Sequence, residues 1–183
     1  MEKKDVERMV YEIYNNSLIA AGKGYDEDGK VYQAVELTRS VYMDTASVPE
    51  FKLAEALLEL FLQKKVGVTS GFLDEDEYSG LSQEEKGQLG IEMFINPKEL
   101  FFNGKIRPDI VFRKGSGNYI VIEVDSFMYH SNQEQLLKDK VRERKIQSLG
   151  YPVFRYAAKE CLDGNQWETA IEIFKILKDK KFV

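Results

Sequence analysis

Cysteine, histidine and proline are scarce in this chain. Its 183 residues include one Cys, one His and four Pro. The single cysteine, Cys161, cannot form an internal disulfide, which excludes a secreted scaffold held together by disulfides. One His and one Cys are too few for a typical zinc site, and a lone His makes a Ser-His-acid triad unconvincing.

Long apolar runs and a secretory leader are missing as well. No apolar stretch approaches the roughly 18 residues that a membrane-spanning helix needs. The first residues, MEKKDVERMVYEIYNN, are too charged for a secretory signal peptide. We therefore expect a cytoplasmic protein that has no membrane partner.

The composition is that of an ordinary globular protein, but the charge is unevenly placed. Hydrophobic residues make up 43% and charged residues 31% of the chain, which suits one domain with at most a modest extension. The formal net charge of −5 argues against a protein that coats DNA in bulk. Residues 1–100 hold 11 Lys/Arg and 20 Asp/Glu, whereas residues 101–183 hold 15 and 11. Either these are solvated faces, or the C-terminal half meets an anion while the acidic N-terminal half docks to a basic protein partner.

Hydrophobic periodicity predicts an alternation of helices and strands. Helices are expected at residues 3–21, 47–63, 132–149 and 165–179, and residues 30–43 favour a helix slightly. Strands are expected at residues 91–95, 107–113, 119–125 and 152–156, with a hairpin turn at Asn103-Gly104. Residues 66–90 are interpreted as a long loop with at most one helical turn. The sequence thus predicts an α/β fold in which helices flank a mixed β-sheet.

Three carboxylates stand out because their neighbours in the sequence are apolar. Asp109 follows Pro108 and precedes an apolar run, while Glu123 and Asp125 interrupt a β-branched strand. Alternation puts Glu123 and Asp125 on one face of that strand, and pairing with the 109 strand lets all three converge. Carboxylates gathered in an apolar sheet repel one another, and a hard cation such as Mg²⁺ relieves that cost. Alternatively, Asp109 caps a turn and the other two lie on a solvated face.

The order of these residues resembles the PD-(D/E)XK nuclease superfamily. More narrowly, it is similar to the branch that holds the very-short-patch-repair mismatch endonucleases and the small endonuclease-like domains related to them. The matching positions are Arg107-Pro108-Asp109, Glu123-Val124-Asp125, His130, Asp139, Arg142, Ile146, Gly150, Val153 and Arg155. The resemblance implies a restriction-endonuclease-like core of order α-β-β-β-α-β-α in a domain at residues 46–183. Residues 1–45 are expected to form an N-terminal helical extension.

The resemblance also implies roles for particular residues. Asp109, Glu123 and Asp125 are expected to bind Mg²⁺ or Mn²⁺. Asp125 stands where many members of the superfamily have a lysine, which leaves the charge-stabilising cation to another residue. His130 is expected to protonate the leaving oxygen or to orient the water, and the alternative is a structural His in a loop.

The missing cation is sought on the helix that follows. The predicted buried arc of this helix consists of Leu137, Val141, Ile146 and Leu149. Lys138, Arg142 and Lys145 project onto the same arc, so a cation there should turn outward or reach a carboxylate. We favour Arg142 or Lys138 as the cation that points into the site. The alternative for Arg142 is a surface ion pair with Asp139, three residues earlier.

Glu50 has two interpretations of equal weight. The segment Ser47-Val48-Pro49-Glu50 has the pattern of a capping box, in which Glu50 only holds the start of its helix. By resemblance, Glu50 would instead add an acidic group to the water shell of the metal. Glu55 is a weaker candidate for the second role.

Contacts with nucleic acid are expected from aromatic and basic residues near the site. Phe127 and Tyr129 either fold back into the core or, as the resemblance suggests, wedge between bases. The full set of expected contacts is Arg107, Phe127, Tyr129, Lys138, Lys140, Arg144 and Lys145.

The sequence therefore predicts a metal-dependent endonuclease that hydrolyses phosphodiester bonds of nucleic acid, with DNA as the favoured substrate. The alternative is a nuclease-fold module that no longer cuts and binds nucleic acid or a protein partner. A third, weaker hypothesis is a host-defence or mobile-element effector that a partner directs to its target.

Overall fold

The computed structural model describes residues 40–41, 43–64, 66, 68–70, 80, 82, 91–97, 106–115, 118–125 and 133–183, with the backbone alone at 62, 69–70, 133–136 and 138–139. The predicted helix at 3–21 and the predicted turn at Asn103-Gly104 lie outside these residues. So do most of the stretch at 30–43 and the segment 126–132, which includes His130.

The helices and strands follow one another along the described part of the chain. The principal helices are α1 (Val48–Gln63), α2 (Gln133–Ser148) and α3 (Gln166–Asp179). The strands are β1 (Val68–Ser70), β2 (Ile91–Ile95), β3 (Ile110–Arg113), β4 (Tyr119–Asp125) and β5 (Val153–Ala157), and a short 3₁₀ helix at Ala158–Cys161 follows β5. Within the described ranges, no helix has both the length and the apolar character needed to cross a membrane.

The strands form one mixed sheet in the order β1-β2-β3-β4-β5. The neighbours β2, β3 and β4 pair antiparallel, whereas β1 is parallel to β2 and β5 is parallel to β4. In the central pair, Ile110 lies opposite Ile122 and Arg113 lies opposite Tyr119. This topology confirms the predicted α/β class and the mixed sheet.

Alternation along the strands divides the core between the two faces of the sheet. One face carries Ile91, Met93, Ile95, Ile110, Phe112, Ile120 and Ile122, which pack with the apolar sides of α1 and α3. On this face, Phe61 of α1 lies edge-on to Phe112, with ring centroids 5.9 Å apart. The other face carries a smaller cluster that consists of Ile106, Val111, Tyr119, Val121 and Ile146 of α2. Charged side chains inside this sheet must therefore find partners.

Glu92 of β2 and Arg113 of β3 are such a pair. They lie opposite each other and are 3% and 1% exposed. The guanidinium donates from Nε and Nη2 to the two oxygens of Glu92, over 2.6 and 2.7 Å. It also lies 5.0 Å from the centre of the Phe94 ring. The bidentate pair satisfies both oxygens of the Glu92 carboxylate inside the sheet.

The exposure of α2 shows that the predicted buried arc is wrong. Ile146 is 1% exposed and belongs to the core. The other three apolar residues of that arc turn toward solvent, since Leu137 is 60%, Val141 37% and Leu149 45% exposed.

Polar contacts explain how α2 is oriented instead. Arg142 contacts Glu123 of β4, and Glu143 contacts Arg155 of β5 at 3.3 Å. Ile146 lies one turn after Arg142, so these residues share the side of α2 that faces the sheet. Ion pairs with β4 and β5 thus set the orientation of a helix in which half of the 16 residues are charged.

Two boundary predictions also need correction. The stretch at 66–90 is not a loop throughout, because Val68–Ser70 forms β1 and pairs with β2. The strand predicted at 107–113 begins at Ile110 rather than Arg107, since Pro108 has no N–H to donate to a strand ladder. The other described elements agree with the predictions within one residue at each end, and α2 ends before Gly150, whose φ is +85°.

Candidate active site

Strand direction gathers the predicted site residues at one edge of the sheet. Because β2 and β4 both run antiparallel to β3, and β5 runs parallel to β4, the strands β2, β4 and β5 all end where β3 begins. Asp109 directly precedes β3, and Glu123 and Asp125 lie at the end of β4. Glu50 in the first turn of α1 joins them, since Asn96, which follows β2, donates a hydrogen bond of 3.0 Å to it. We call Glu50, Asp109, Glu123 and Asp125 together the carboxylate edge.

The Asp109 carboxylate is anchored between β3 and β4. Its Oδ2 accepts a hydrogen bond of 2.6 Å from the backbone N–H of Val124. Burial raises the pKa of Asp109 to about 6, the Val124 N–H lowers it, and the charge of Glu50 raises it. The Asp109 carboxylate is therefore fixed in position and poorly solvated.

Cys161 lies close enough to Asp109 to feel its charge. It is fully buried, and burial raises the pKa of its thiol to about 12, with contributions from the charges of Glu160 and Asp109. A neutral thiol offers Asp109 little solvation, which agrees with the raised pKa of that carboxylate.

Glu123 is the most deeply buried member of the carboxylate edge, at 2% exposure. Its Oε2 accepts a hydrogen bond from Arg142, whereas its buried Oε1 has no hydrogen-bond partner among the described residues. Burial raises the pKa of Glu123 to about 8, the Asp109 charge raises it further, and Arg142 and Arg155 lower it. Glu123 is thus not on a solvated face, and it retains an unused acceptor.

Arg142 enters the site from α2. Its Nη2 donates to Glu123, and its Nη1 lies 3.5 Å from the backbone oxygen of Arg107. The side chain remains 31% exposed. The structure therefore brings Arg142 to a carboxylate, while the side chains of Lys138 and Asp139 lie outside the described residues.

Asp125 has a cation partner of its own. Arg155 on β5 donates to both of its oxygens, from Nε over 2.9 Å and from Nη2, and reaches Glu143 from Nη1 over 3.3 Å. The hydrogen bond to Asp125 is the main reason why the pKa of Arg155 lies above its ordinary value. The expected metal-binding role of Asp125 stays a prediction, and its carboxylate is shared with a fixed guanidinium.

Glu50 lies at the start of α1 and near Asp109, and its expected role in the water shell of a metal stays a prediction. Ser47 Oγ donates to its Oε1 over 2.8 Å and the Ala46 N–H donates to its Oε2 over 2.8 Å, while the Glu50 N–H reaches Ser47 Oγ over 3.4 Å, so Glu50 holds the start of α1 through contacts related to the predicted capping box. Glu50 is also 6% exposed and close enough to Asp109 to raise the pKa of that carboxylate. Glu55 instead forms an ion pair within α1 at 3.0 Å.

The expected nucleic-acid contacts are only partly described. The exposed ones are Arg107, Lys140, Arg144 and Lys145. Arg107 lies beside the site, and the other three are on α2. Phe127, Tyr129 and His130 lie outside the described residues, as does the side chain of Lys138.

The side chains of the carboxylate edge are candidate ligands for a metal ion. Among the described residues, no group of three or more His, Cys, Asp and Glu is arranged to hold one. Asp109 and Glu123 meet a smaller requirement, because Mg²⁺ is commonly held by one or two carboxylates and completes its shell with water and phosphate oxygens. The Oε1 of Glu123, which has no partner among the described residues, and the raised pKa of both carboxylates fit a pair that a cation would stabilise.

Sequence reasoning missed the partners that organise this edge. Asn96 was not identified; Asn is one of the residues that tolerate a left-handed backbone, and its φ is +44°, although the following Pro97 by itself favours an extended conformation. Arg155 was noted only as a motif position. The parallel register of β4 and β5 places Arg155 opposite Glu123. From there its guanidinium reaches Asp125, two residues further along β4.

The chain matches no known family model, no curated protein and no solved structure. No relative therefore supplies a ligand, a substrate or a catalytic residue. The chemistry has to be inferred from the carboxylate edge itself.

Proposed function

We propose that the chain is a metal-dependent endonuclease that hydrolyses phosphodiester bonds of nucleic acid, with DNA as the expected substrate. One observation carries the proposal: the half-buried Asp109 and the buried Glu123 are neighbouring carboxylates with raised pKa values, and Oε1 of Glu123 has no partner among the described residues. If Asp109 and Glu123 had only a structural role, we would expect their buried oxygens to have hydrogen-bond partners. Both oxygens of Glu92, for example, accept hydrogen bonds from Arg113. A divalent cation relieves the repulsion and uses the free acceptor.

The order of elements supports a restriction-endonuclease-like core. The sequence α1-β2-β3-β4-α2-β5-α3 has the expected α-β-β-β-α-β-α order, and we assign β1 as an added edge strand. In this core, Asp109 before β3 and Glu123 at the end of β4 occupy the positions that the resemblance gives to the metal ligands.

The residues of the edge suggest a division of labour. A bound Mg²⁺ would supply an activated water and neutralise charge that develops on the phosphate. Asp109 and Glu123 would hold it in their ionised forms, with Asp109 kept in place by the Val124 N–H. The planar guanidinium of Arg142 suits two oxygens of the scissile phosphate. His130 is expected to give a proton to the leaving oxygen.

Arg155 takes the place of the lysine that the resemblance expects. Asp125 and Glu143 hold its guanidinium from two sides, so its charge is fixed at the end of β4 and β5. The role of Asp125 in this proposal is to position Arg155, which contributes positive potential near the phosphate.

Cleavage assays test the site. The purified chain is incubated with single-stranded, double-stranded and mismatched DNA and with RNA, with Mg²⁺, Mn²⁺ or EDTA. We expect cleavage that requires the metal and falls at least about a hundredfold in Asp109→Asn and in Glu123→Gln, because metal ligation is worth several kcal/mol in the transition state. The matched control is Glu168→Gln, which removes an exposed carboxylate on α3 and should leave the rate unchanged. Undiminished cleavage by both site variants would show that the ligands are assigned wrongly.

A second function is binding of nucleic acid or a protein without cleavage. It is favoured by one observation, since Arg142 and Arg155 already neutralise Glu123 and Asp125. Isothermal titration separates the two functions. Absence of Mn²⁺ binding at about millimolar concentration would favour the binding module, because a catalytic Mg²⁺ site must fill under such conditions.

A further inference from the structure

We infer that Arg142 is a displaceable counter-cation, which pairs with Glu123 and is driven off that carboxylate when a divalent cation binds. The inference rests on the proposed metal site and deepens it by naming the group that competes with the metal. It concerns one contact, between Nη2 of Arg142 and Oε2 of Glu123.

The contacts of Arg142 permit its guanidinium to move away from Glu123. Among the described residues, its ion pair with Glu123 is its one strong contact, because the 3.5 Å approach of Nη1 to the Arg107 oxygen is at the limit of a hydrogen bond. The side chain is already 31% exposed, so its guanidinium can move into water. The helix need not follow, since Ile146 is buried against the sheet and Glu143 contacts Arg155.

Arg155 is held differently and serves as an internal comparison. It donates to both oxygens of Asp125 and also reaches Glu143 on α2. Three contacts to two carboxylates, one on β4 and one on α2, fix its guanidinium. Of these two arginines at the carboxylate edge, Arg142 is thus the displaceable one.

Electrostatics makes Arg142 and the metal competitors. Glu123 has one oxygen bound to the guanidinium and one buried oxygen with no described partner. A divalent cation on the second oxygen would lie a few ångströms from the Arg142 charge, in a poorly solvated place where like charges repel strongly. Metal binding therefore weakens the Arg142–Glu123 pair, and that pair lowers the affinity of the site for metal.

Displacement also has a consequence for the substrate. The released guanidinium stays next to the metal site, with a planar set of N–H donors that match phosphate oxygens. Binding of the metal would thus free the Arg142 guanidinium to bind the phosphodiester. Without a bound metal, the guanidinium would stay paired with Glu123.

Isothermal titration with Mn²⁺, in the absence of nucleic acid, tests the competition. The proteins are the parent chain, Arg142→Gln, Arg142→Lys and Glu123→Gln, all checked for folding by circular dichroism. We expect Mn²⁺ to bind Arg142→Gln about tenfold more tightly than the parent, since a neighbouring positive charge is gone. Arg142→Lys should bind with an affinity between the two, and Glu123→Gln should bind weakly or not at all. The control for net charge is Lys175→Gln, an exposed residue on α3, which should bind like the parent.

Each result decides the inference. Tighter binding by Arg142→Gln than by the parent supports displacement, whereas binding by that variant alone overturns the metal site of the parent and displacement with it. Equal or weaker binding by Arg142→Gln, with the parent still binding, overturns displacement and leaves the proposed function standing. Absence of binding by every protein overturns the proposed metal site, and displacement with it.

Cleavage gives an independent readout. If Arg142 both competes with the metal and binds phosphate, Arg142→Gln needs less Mn²⁺ for half-maximal cleavage but has a lower maximal rate. A residue that only stabilises the fold would not change these two quantities in opposite directions.

Discussion

Glu92 and Glu123 are glutamates that are almost equally buried, but they differ in whether both carboxylate oxygens have hydrogen-bond partners. Glu92 is 3% exposed and both of its oxygens accept hydrogen bonds from Arg113. Glu123 is 2% exposed, but only one of its oxygens has a described partner. The first carboxylate is satisfied within the sheet, whereas the second has a free acceptor next to the charge of Asp109. A binding site can be built only on the second.

The raised pKa values predict an unusual pH dependence of stability. Burial raises the pKa of Asp109 to about 6 and that of Glu123 to about 8, so near neutral pH the folded chain holds protons that the unfolded chain has lost. Stability should therefore be full below the ordinary carboxyl pKa and fall as pH rises through about 6 to 8. In EDTA, we expect the free energy of unfolding to be about 1–3 kcal/mol larger at about pH 5 than at about pH 8.5.

Denaturant unfolding at both pH values measures this difference. The variant that combines Asp109→Asn with Glu123→Gln cannot titrate at these positions and should lose most of the pH dependence. Addition of Mn²⁺ at the higher pH should recover stability, because the metal binds the ionised carboxylates of the folded state. Stability that increased over the same pH range in EDTA would contradict the raised pKa values.

At the scale of the element, the described side chains of α2 meet the sheet through contacts of mixed kind. Among them, Ile146 is buried in the core, and Arg142 and Glu143 contact β4 and β5 through ion pairs. Leu137 and Val141 lie on the side that faces solvent. The helix thus places its polar side on the carboxylate edge, and this arrangement brings a cation to Glu123.

Truncation of single α2 residues tests this orientation. We expect Ile146→Ala to lower the free energy of unfolding by about 2–4 kcal/mol, since it removes a buried side chain from the cluster with Val111 and Val121. Val141→Ala, at 37% exposure, should change it by no more than about 0.5 kcal/mol. Urea unfolding gives both values. Equal losses for the two variants would instead support the apolar arc that the sequence predicted.

At the scale of the whole molecule, the charge is divided along the chain. The C-terminal 83 residues have a surplus of positive charge in a protein whose net charge is −5. The exposed Lys140, Arg144 and Lys145 concentrate part of this surplus on α2, which also carries Arg142 to the site. A polyanion that contacts α2 would thus meet positive charge on the helix that also carries Arg142.

Salt dependence tests whether this surface contacts phosphates. Fluorescence anisotropy with a labelled DNA duplex in EDTA gives the binding constant at several salt concentrations. Lys140→Gln and Arg144→Gln should each weaken binding uniformly across DNA sequences and reduce the slope of log K against log salt by about 1. Lys175→Gln on α3 should leave the slope unchanged. If all three variants behave alike, α2 is not the contact surface.

Much of the fold was predictable because the relevant signals are local. The β-branched run at Tyr119–Asp125 and the capping pattern at Ser47 to Glu50 predicted β4 and the start of α1 within a residue. The carboxylates of the candidate site were also predictable, because Asp109, Glu123 and Asp125 interrupt apolar sequence. Three-residue β1 was not, since so short a strand has too little pattern and forms only by pairing with β2.

By itself, the sequence determined where strands and helices form and which carboxylates stand at the strand ends, because backbone preference and side-chain alternation act over a few neighbouring residues. Only the tertiary structure decided the partners: Arg142 for Glu123, Arg155 for Asp125, and Val124 for Asp109. It also turned Leu137 and Val141 outward, against the helical pattern. The physical reason is that burial and charge pairing depend on residues 15 to 30 positions apart in the chain, which meet only when the strands pair and α2 packs against them.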